Sequence, residues 1–149
     1  MLITMDKLTR KDIDRILYSA LRAVYRFERE KVDCFGLTYQ EIYLLQYLII
    51  TGQASISSLS NELKVPLFSA SRIVARLEDM RLVHKEKDPA DRRSTLVSLT
   101  DEGIKTVSEV EEHTFRIVTG NLSSYDYDTV RTFINTALHL KDILNVEDR

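Results

Sequence analysis

The chain has 149 residues, 44% of them apolar and 30% charged, with a formal net charge of −2. That length can bury a real core and points to one globular domain, and the composition excludes collagen-like and disordered classes. The longest apolar run, residues 43–50, is broken by Gln46 and falls far short of the ~20 residues of a membrane-spanning helix, so no membrane partner is expected.

Only four glycines and two prolines occur, which favours long helices with few tight turns. The chain start, residues 1–6, has no basic stretch followed by an apolar one, so no signal peptide is expected. A single cysteine, Cys34, excludes an internal disulfide and fits a reducing cytoplasm.

In chain order, Thr9 and Asp12 form a capping-box pattern, and Ile13, Ile16, Leu17, Ala20, Leu21, Val24 and Phe27 recur at helical spacing. One long helix is predicted over about 8–32. Its stripe is too apolar for a lone surface helix and needs a large partner surface. Thr38 and Glu41 make a second capping box, opening a helix that closes at Gly52. Ser55 caps a short third helix, 56–63, followed by a Lys64-Val65 turn. Pro66 suits the first turn of a fourth helix running to about Met80.

Residues 82–87 and 94–99 read as extended segments, joined by the turn residues Asp88, Pro89, Ala90 and Asp91. A charged hairpin tip carrying Arg92 and Arg93 follows from this. Thr100 caps the next helix, which reaches about Thr119 and breaks at Gly120-Asn121. The stretch 123–126 caps one last helix through about 144. The two ends of the chain are over-apolar. Packing them together and against a second copy would bury them at least cost, as a symmetric dimer.

The predicted fold is therefore mainly α with a small β-hairpin wing (α+β). It is a winged helix-turn-helix in a single domain, 1–149. The lobe spans 37–100, and the N- and C-terminal dimerisation helices span 8–32 and 101–145.

Charge distribution supports duplex DNA as partner better than net charge does. Over 64–93 there are eight Lys/Arg against five Asp/Glu, whereas 101–149 has five against ten. At 100° per residue, Ala70, Ile73, Val74, Leu77 and Met80 form a core face on the fourth helix. The opposite side carries Phe68, Ser71, Arg72, Ala75 and Asp79, flanked by Ser69 and Arg76. Arginine can pair with guanine O6 and N7, and serine can bond a base edge or a phosphate. Arg76 has an alternative as a surface ion pair with Glu78 or Asp79. Phe68 either rests on a thymine methyl or folds back beside Leu63.

At the tip, Asp91 stands two residues before Arg93. In extended backbone both would project to one side, so Asp91 would brace the Arg93 guanidinium for a narrow minor groove. Arg92 would then meet phosphate.

These stretches resemble the MarR family of bacterial winged-helix regulators. The matching text is Leu59-Ser-Asn-Glu-Leu-Lys-Val65, Ser69-Ala-Ser-Arg-Ile-Val-Ala-Arg-Leu-Glu78, Asp88-Pro-Ala-Asp-Arg-Arg-Ser94 and Val97-Ser-Leu-Thr-Asp-Glu-Gly103. The resemblance implies a homodimeric transcriptional regulator on a pseudo-palindromic operator, with its interface in the terminal helices. It implies Ser69, Ser71 and Arg72 as recognition-helix contacts, Arg93 as the wing arginine and Asp91 as its brace. Many members respond to small phenolic or lipophilic ligands, so a small-molecule effector is implied, with its binding residues unassigned. Lys64 stands where members often carry glycine and would add a phosphate contact. Pro66-Leu67 replaces a commoner polar pair.

Other chemistry is thin. No nucleophile–base motif, phosphate loop or acid pair is present, so neither an enzyme nor a cofactor is expected. His84, His113 and His139 are too widely spaced for a metal site. Cys34 is expected to be inert rather than redox-sensing. Tyr39, Tyr43 and Tyr47 recur every four residues, a stripe more often core than ligand wall. A winged-helix protein–protein adaptor without DNA binding is the alternative from another class.

Overall fold

The computed structural model describes residues 7–146, so residues 1–6 and the expectation resting on them lie outside it. The chain forms two compact units, one ending at Val110 and one from Glu111 onward.

The first unit opens with α1 (Arg10–Phe35), three residues longer at its C-terminal end than the apolar stripe suggests. The Thr9–Asp12 capping box forms as expected, and Gly36 ends the helix in the left-handed region at φ 66°. On α1, Ile13, Ile16, Leu21 and Val24 all stay at least about half exposed. Then come α2 (Tyr39–Thr51), α3 (Ile56–Leu63) and α4 (Leu67–Asp79). Thr38 and Ser55 cap α2 and α3 as their side chains predict. Pro66 sits one position earlier than expected, as the N-cap of α4, and contributes no capping oxygen.

The wing is more than a hairpin. Strand β2 (Val83–Lys87) pairs antiparallel with β3 (Thr95–Leu99), and a third strand, β1 (Gln53–Ser55), pairs with the other edge of β3. The sheet order is β1-β3-β2, with Ala54 opposite Val97 and Lys85 opposite Val97 on the far side. β1 therefore ties the entrance of α3 to the base of the wing.

The core lies among these elements. Leu44, Leu45 and Leu48 of α2, Leu59 of α3, Val74 and Leu77 of α4, Val83 of β2 and Val97 of β3 are buried together. Val107 and Val110 of α5 (Asp101–Leu122) join them. Thr100 caps α5 through Gly103 N–H at 3.0 Å and donates its hydroxyl to the Arg81 carbonyl at 2.6 Å. Gly103 is required there: a Cβ would lie 2.0 Å from the Leu82 carbonyl oxygen.

The second unit holds the end of α5, α6 (Tyr127–Leu138) and α7 (Leu140–Ile143). Three expectations need correction here. α5 runs through Gly120-Asn121, because glycine inside a helix costs only about 1 kcal/mol and no proline follows. The cap of α6 is Asp126, which accepts from Thr129 N–H at 3.0 Å and Thr129 Oγ1 at 2.6 Å; Ser123 takes no such role. The last helix is also not continuous: His139 separates α6 from the short α7. Phe133 and Leu138 of α6 stay exposed.

Candidate nucleic-acid interface

The helix pair α3–α4 is joined by a tight turn at Lys64, whose φ of 52° lies in the left-handed region. A lysine is strained there where glycine would not be. The Val65 N–H returns to the Ser60 carbonyl at 3.1 Å, and Ser60 Oγ donates to the Val65 carbonyl at 2.7 Å. This turn sets the angle at which α4 leaves the lobe and leaves the Lys64 side chain exposed.

Ala70, Val74 and Leu77 of α4 have 0% exposure and Ile73 is partly buried, whereas Met80, expected on the same core face, is exposed at the helix end. Arg72 points outward on the opposite face. Ser69 and Ser71 are both half-buried, Ser71 in a depression with Ile56, Lys85, Glu86, Lys87 and Thr95 at the wing base. Leu67 and Phe68 are exposed, Phe68 by 66%, so the ring does not fold back onto Leu63.

Arg76 has a partner that sequence reasoning did not find. Its Nη1 donates to both carboxylate oxygens of Glu41, 2.6 Å to Oε2, and its Nη2 donates to the Gly36 carbonyl at 3.4 Å. The expected pairing with Glu78 or Asp79 is wrong. Glu78 instead pairs with Lys85 of β2 at 2.7 Å. Glu41 is buried and also accepts from Thr38 N–H at 2.7 Å. Arg76 therefore joins the end of α1, the start of α2 and the recognition helix. This partner lies 35 residues away, and only its capping-box position was visible locally.

The wing tip also differs from expectation. Residues 91–94 form a turn, not extended chain. Asp91 Oδ1 accepts the Arg93 backbone N–H at 3.0 Å, and the Ser94 N–H closes onto the Asp91 carbonyl at 2.8 Å. Asp91 thus holds the backbone at Arg93 and not its guanidinium, because the same-side rule for i and i+2 applies only to extended strands. Asp88 does the same for the Ala90 N–H at 2.8 Å. Arg92 and Arg93 are both exposed. Among the described residues, the side chains of Lys64, Arg72, Arg92 and Arg93 enter no ion pair.

The remaining singled-out residues lie elsewhere. Tyr39 and Tyr43 are exposed, with ring centroids 6.3 Å apart, while Tyr47 packs against the core. Tyr43 donates to Glu62 Oε1 at 2.6 Å, and this bond, with partial burial, pushes its pKa up to about 12. His84 Nε2 lies 3.0 Å from Ser98 Oγ across the β2–β3 pair. Cys34 is exposed on α1. Among the described residues, no three His, Cys, Asp or Glu side chains gather where a metal could sit. No described helix is long and apolar enough to cross a membrane.

A capped short helix, a tight turn, a second helix with one largely buried face and a three-stranded wing define a winged helix-turn-helix, a fold class of DNA-binding proteins. The sequence profile of the MarR family matches residues 35–94. The chain is 28% identical over 99 residues to the uncharacterized HTH-type transcriptional regulator YsmB of Bacillus subtilis, covering 66% of this chain and 68% of that protein. It is 28% identical over 103 residues to the HTH-type transcriptional regulator SarR of Staphylococcus aureus, covering 65% of this chain and 90% of SarR. Among solved structures, the fold matches a MarR family protein from Bacillus stearothermophilus with a TM-score of 0.81 at 20% identity, over 91% of this chain and 94% of that one. Apo MarR from E. coli matches with a TM-score of 0.74 at 19% identity, over 97% and 98% of the two chains. Over residues 35–94 the chain is similar to the MarR family, and its fold is that of MarR winged-helix proteins.

Proposed function

We propose that the protein is a homodimeric, sequence-specific repressor in the cytoplasm that binds a pseudo-palindromic operator and is released by a small lipophilic or phenolic effector. The observation that carries the DNA reading is the geometry of α4. It buries Ala70, Val74 and Leu77 in the core and holds Arg72 outward, while the wing presents two exposed arginines on a pinned turn.

In this reading α4 enters the major groove, with Arg72 and Ser69 at base edges or phosphates. Ser71, set back at the wing base, would meet the backbone. Arg93 reaches the minor groove, Arg92 and Lys64 meet phosphates, and Asp91 shapes the turn that aims Arg93. Because Pro66 supplies no side-chain cap, the Leu67 and Phe68 amides are also open to a phosphate, whereas Ser69 N–H already donates to the Pro66 carbonyl at 2.9 Å. Arg76, engaged with Glu41, supports the helix. The exposed stripes of α1 and α6 supply the surface for a second copy, which places half-sites about one helical turn apart.

The test is the salt dependence of duplex binding. Phosphate contacts by Lys64, Arg72, Arg92 and Arg93 of each protomer predict a slope of log affinity on log salt of roughly −7 for a dimer. Arg93→Ala should lower affinity by about 1–3 kcal/mol and leave the melting temperature unchanged. A flat slope, or no binding at low salt, would favour the protein–protein adaptor, to which the exposed Leu67 and Phe68 would then belong.

A further inference from the structure

The recognition helix begins with an exposed aromatic ring, which is costly to leave in water and has no packing role in the lobe. Phe68 is the second residue of α4 and is 66% exposed, with Leu67 beside it 56% exposed. Its ring could have joined the partly buried Leu63 at the preceding turn, and it does not. Arg72 follows one turn later on the same face.

We infer that Phe68 is a specificity-determining residue, reading the C5-methyl group of a thymine in the major groove beside the base contacted by Arg72. This rests on the DNA-binding reading above. The first turn of a recognition helix is the part that reaches base edges. The C5-methyl of thymine is the apolar group that the major groove offers to an aromatic ring. The other edges present donors and acceptors, which a phenyl ring would strip of water without replacing the hydrogen bonds. Phe68 therefore selects for thymine and against polar edges. Ser69 and Arg72 lie on the same helix within one turn of Phe68, so the exposed apolar ring belongs to a helix stretch that also carries a hydroxyl and a positive charge. Leu67 widens the same apolar contact.

The experiment uses the full chain and duplexes that it selects from a random library at low salt. Each thymine of the selected duplex is replaced in turn by deoxyuridine, which removes only the methyl group. At one thymine per half-site the wild-type protein should bind roughly fourfold more weakly, the loss expected for one buried methyl. Phe68→Ala should bind the thymine duplex more weakly and be indifferent to that replacement, since the two changes remove one contact. If wild-type affinity is unchanged at every thymine, the inference is overturned while selective duplex binding keeps the regulator reading intact. If Phe68→Ala remains as sensitive to the replacement as wild type, another residue reads the methyl, and the inference is again overturned. If no duplex is enriched at low salt, the DNA-binding reading fails and this inference fails with it.

Discussion

Replacing Arg76 by alanine tests whether the recognition helix is held by a buried charge pair or merely by its apolar face. The Glu41 side chain retains 3% of its exposure and the Arg76 side chain 50%. Deleting one member of a fully buried pair costs about 3–5 kcal/mol, because the survivor stays charged and unpaired. Here water reaches the arginine side, screening the pair and entering the vacated space, so about 2–3 kcal/mol is the working figure. That is a large share of a typical total of about 5–15 kcal/mol. For a chain of this length it lowers the melting temperature by roughly 5–10 °C. Urea denaturation at fixed protein concentration, followed by far-UV circular dichroism, reads the change directly. Arg92→Ala is the surface control and should move stability by no more than about 0.5 kcal/mol. Glu41→Gln combined with Arg76→Ala should cost less than the two single changes added, because the glutamine leaves no charge to strand. If Arg76→Ala is no worse than Arg92→Ala, the pair is a solvated surface contact and Arg76 returns to the set of DNA-contact candidates.

Three other outcomes are expected. Gly103→Ala should destabilise by about 3 kcal/mol or more, since its Cβ would stand 2.0 Å from the Leu82 carbonyl; a melting curve superimposable on wild type would contradict the close approach of α5 to the β2 entrance. Tyr43 should ionise near pH 12, above its ordinary value of 10, because its hydroxyl donates to Glu62 and burial opposes the phenolate. A group whose pKa is raised on folding stabilises fully below its ordinary value of 10, and that contribution fades as pH rises from 10 toward 12. Glu62→Gln should bring the Tyr43 tyrosinate titration down, and an unchanged titration would show that the hydrogen bond is not its cause. Leu21→Glu, placing a charge where an apolar side chain is 66% exposed, should leave the lobe folded but break a dimer built on α1; an unaltered mass by light scattering would remove α1 from the interface.

Much of the architecture is legible locally, and its errors share a cause. The caps at Thr9, Thr38 and Ser55 need only a hydroxyl and an N–H three residues on, so the sequence displays them directly. Strand β1 has three residues and no alternation long enough to read; pairing with β3 makes it a strand. The end of α5 falls at Leu122 and not at Gly120-Asn121, because a glycine inside a helix does not by itself stop it. Asp91 is legible as a bracing residue, but strand geometry points it at the Arg93 guanidinium, whereas in the turn it holds the Arg93 N–H. Arg76 looked like one more cation on an outward face. Its partner Glu41 was already in view as a capping residue, and nothing in either local pattern announces that one carboxylate serves both.

That double use also changes what the charge count means. The stretch 64–93 carries eight cations and five acids, a small excess for a DNA footprint. In the folded lobe Arg76 is spent on Glu41 and Lys85 on Glu78, while Asp88 and Asp91 turn their oxygens onto backbone N–H groups of the wing tip. The acids at the tip each hold a backbone N–H of the turn they build, and the side chains of Arg92 and Arg93 stay exposed beside them. Lys64 and Arg72 are similarly unpaired on the turn and on the recognition helix. A phosphate backbone responds to the cations that can reach it rather than to formal net charge, because each neutralised phosphate releases its own counterion. An acidic chain can therefore carry a local surface of reachable cations, because folding pairs Arg76 and Lys85 and leaves Lys64, Arg72, Arg92 and Arg93 outside any ion pair among the described residues.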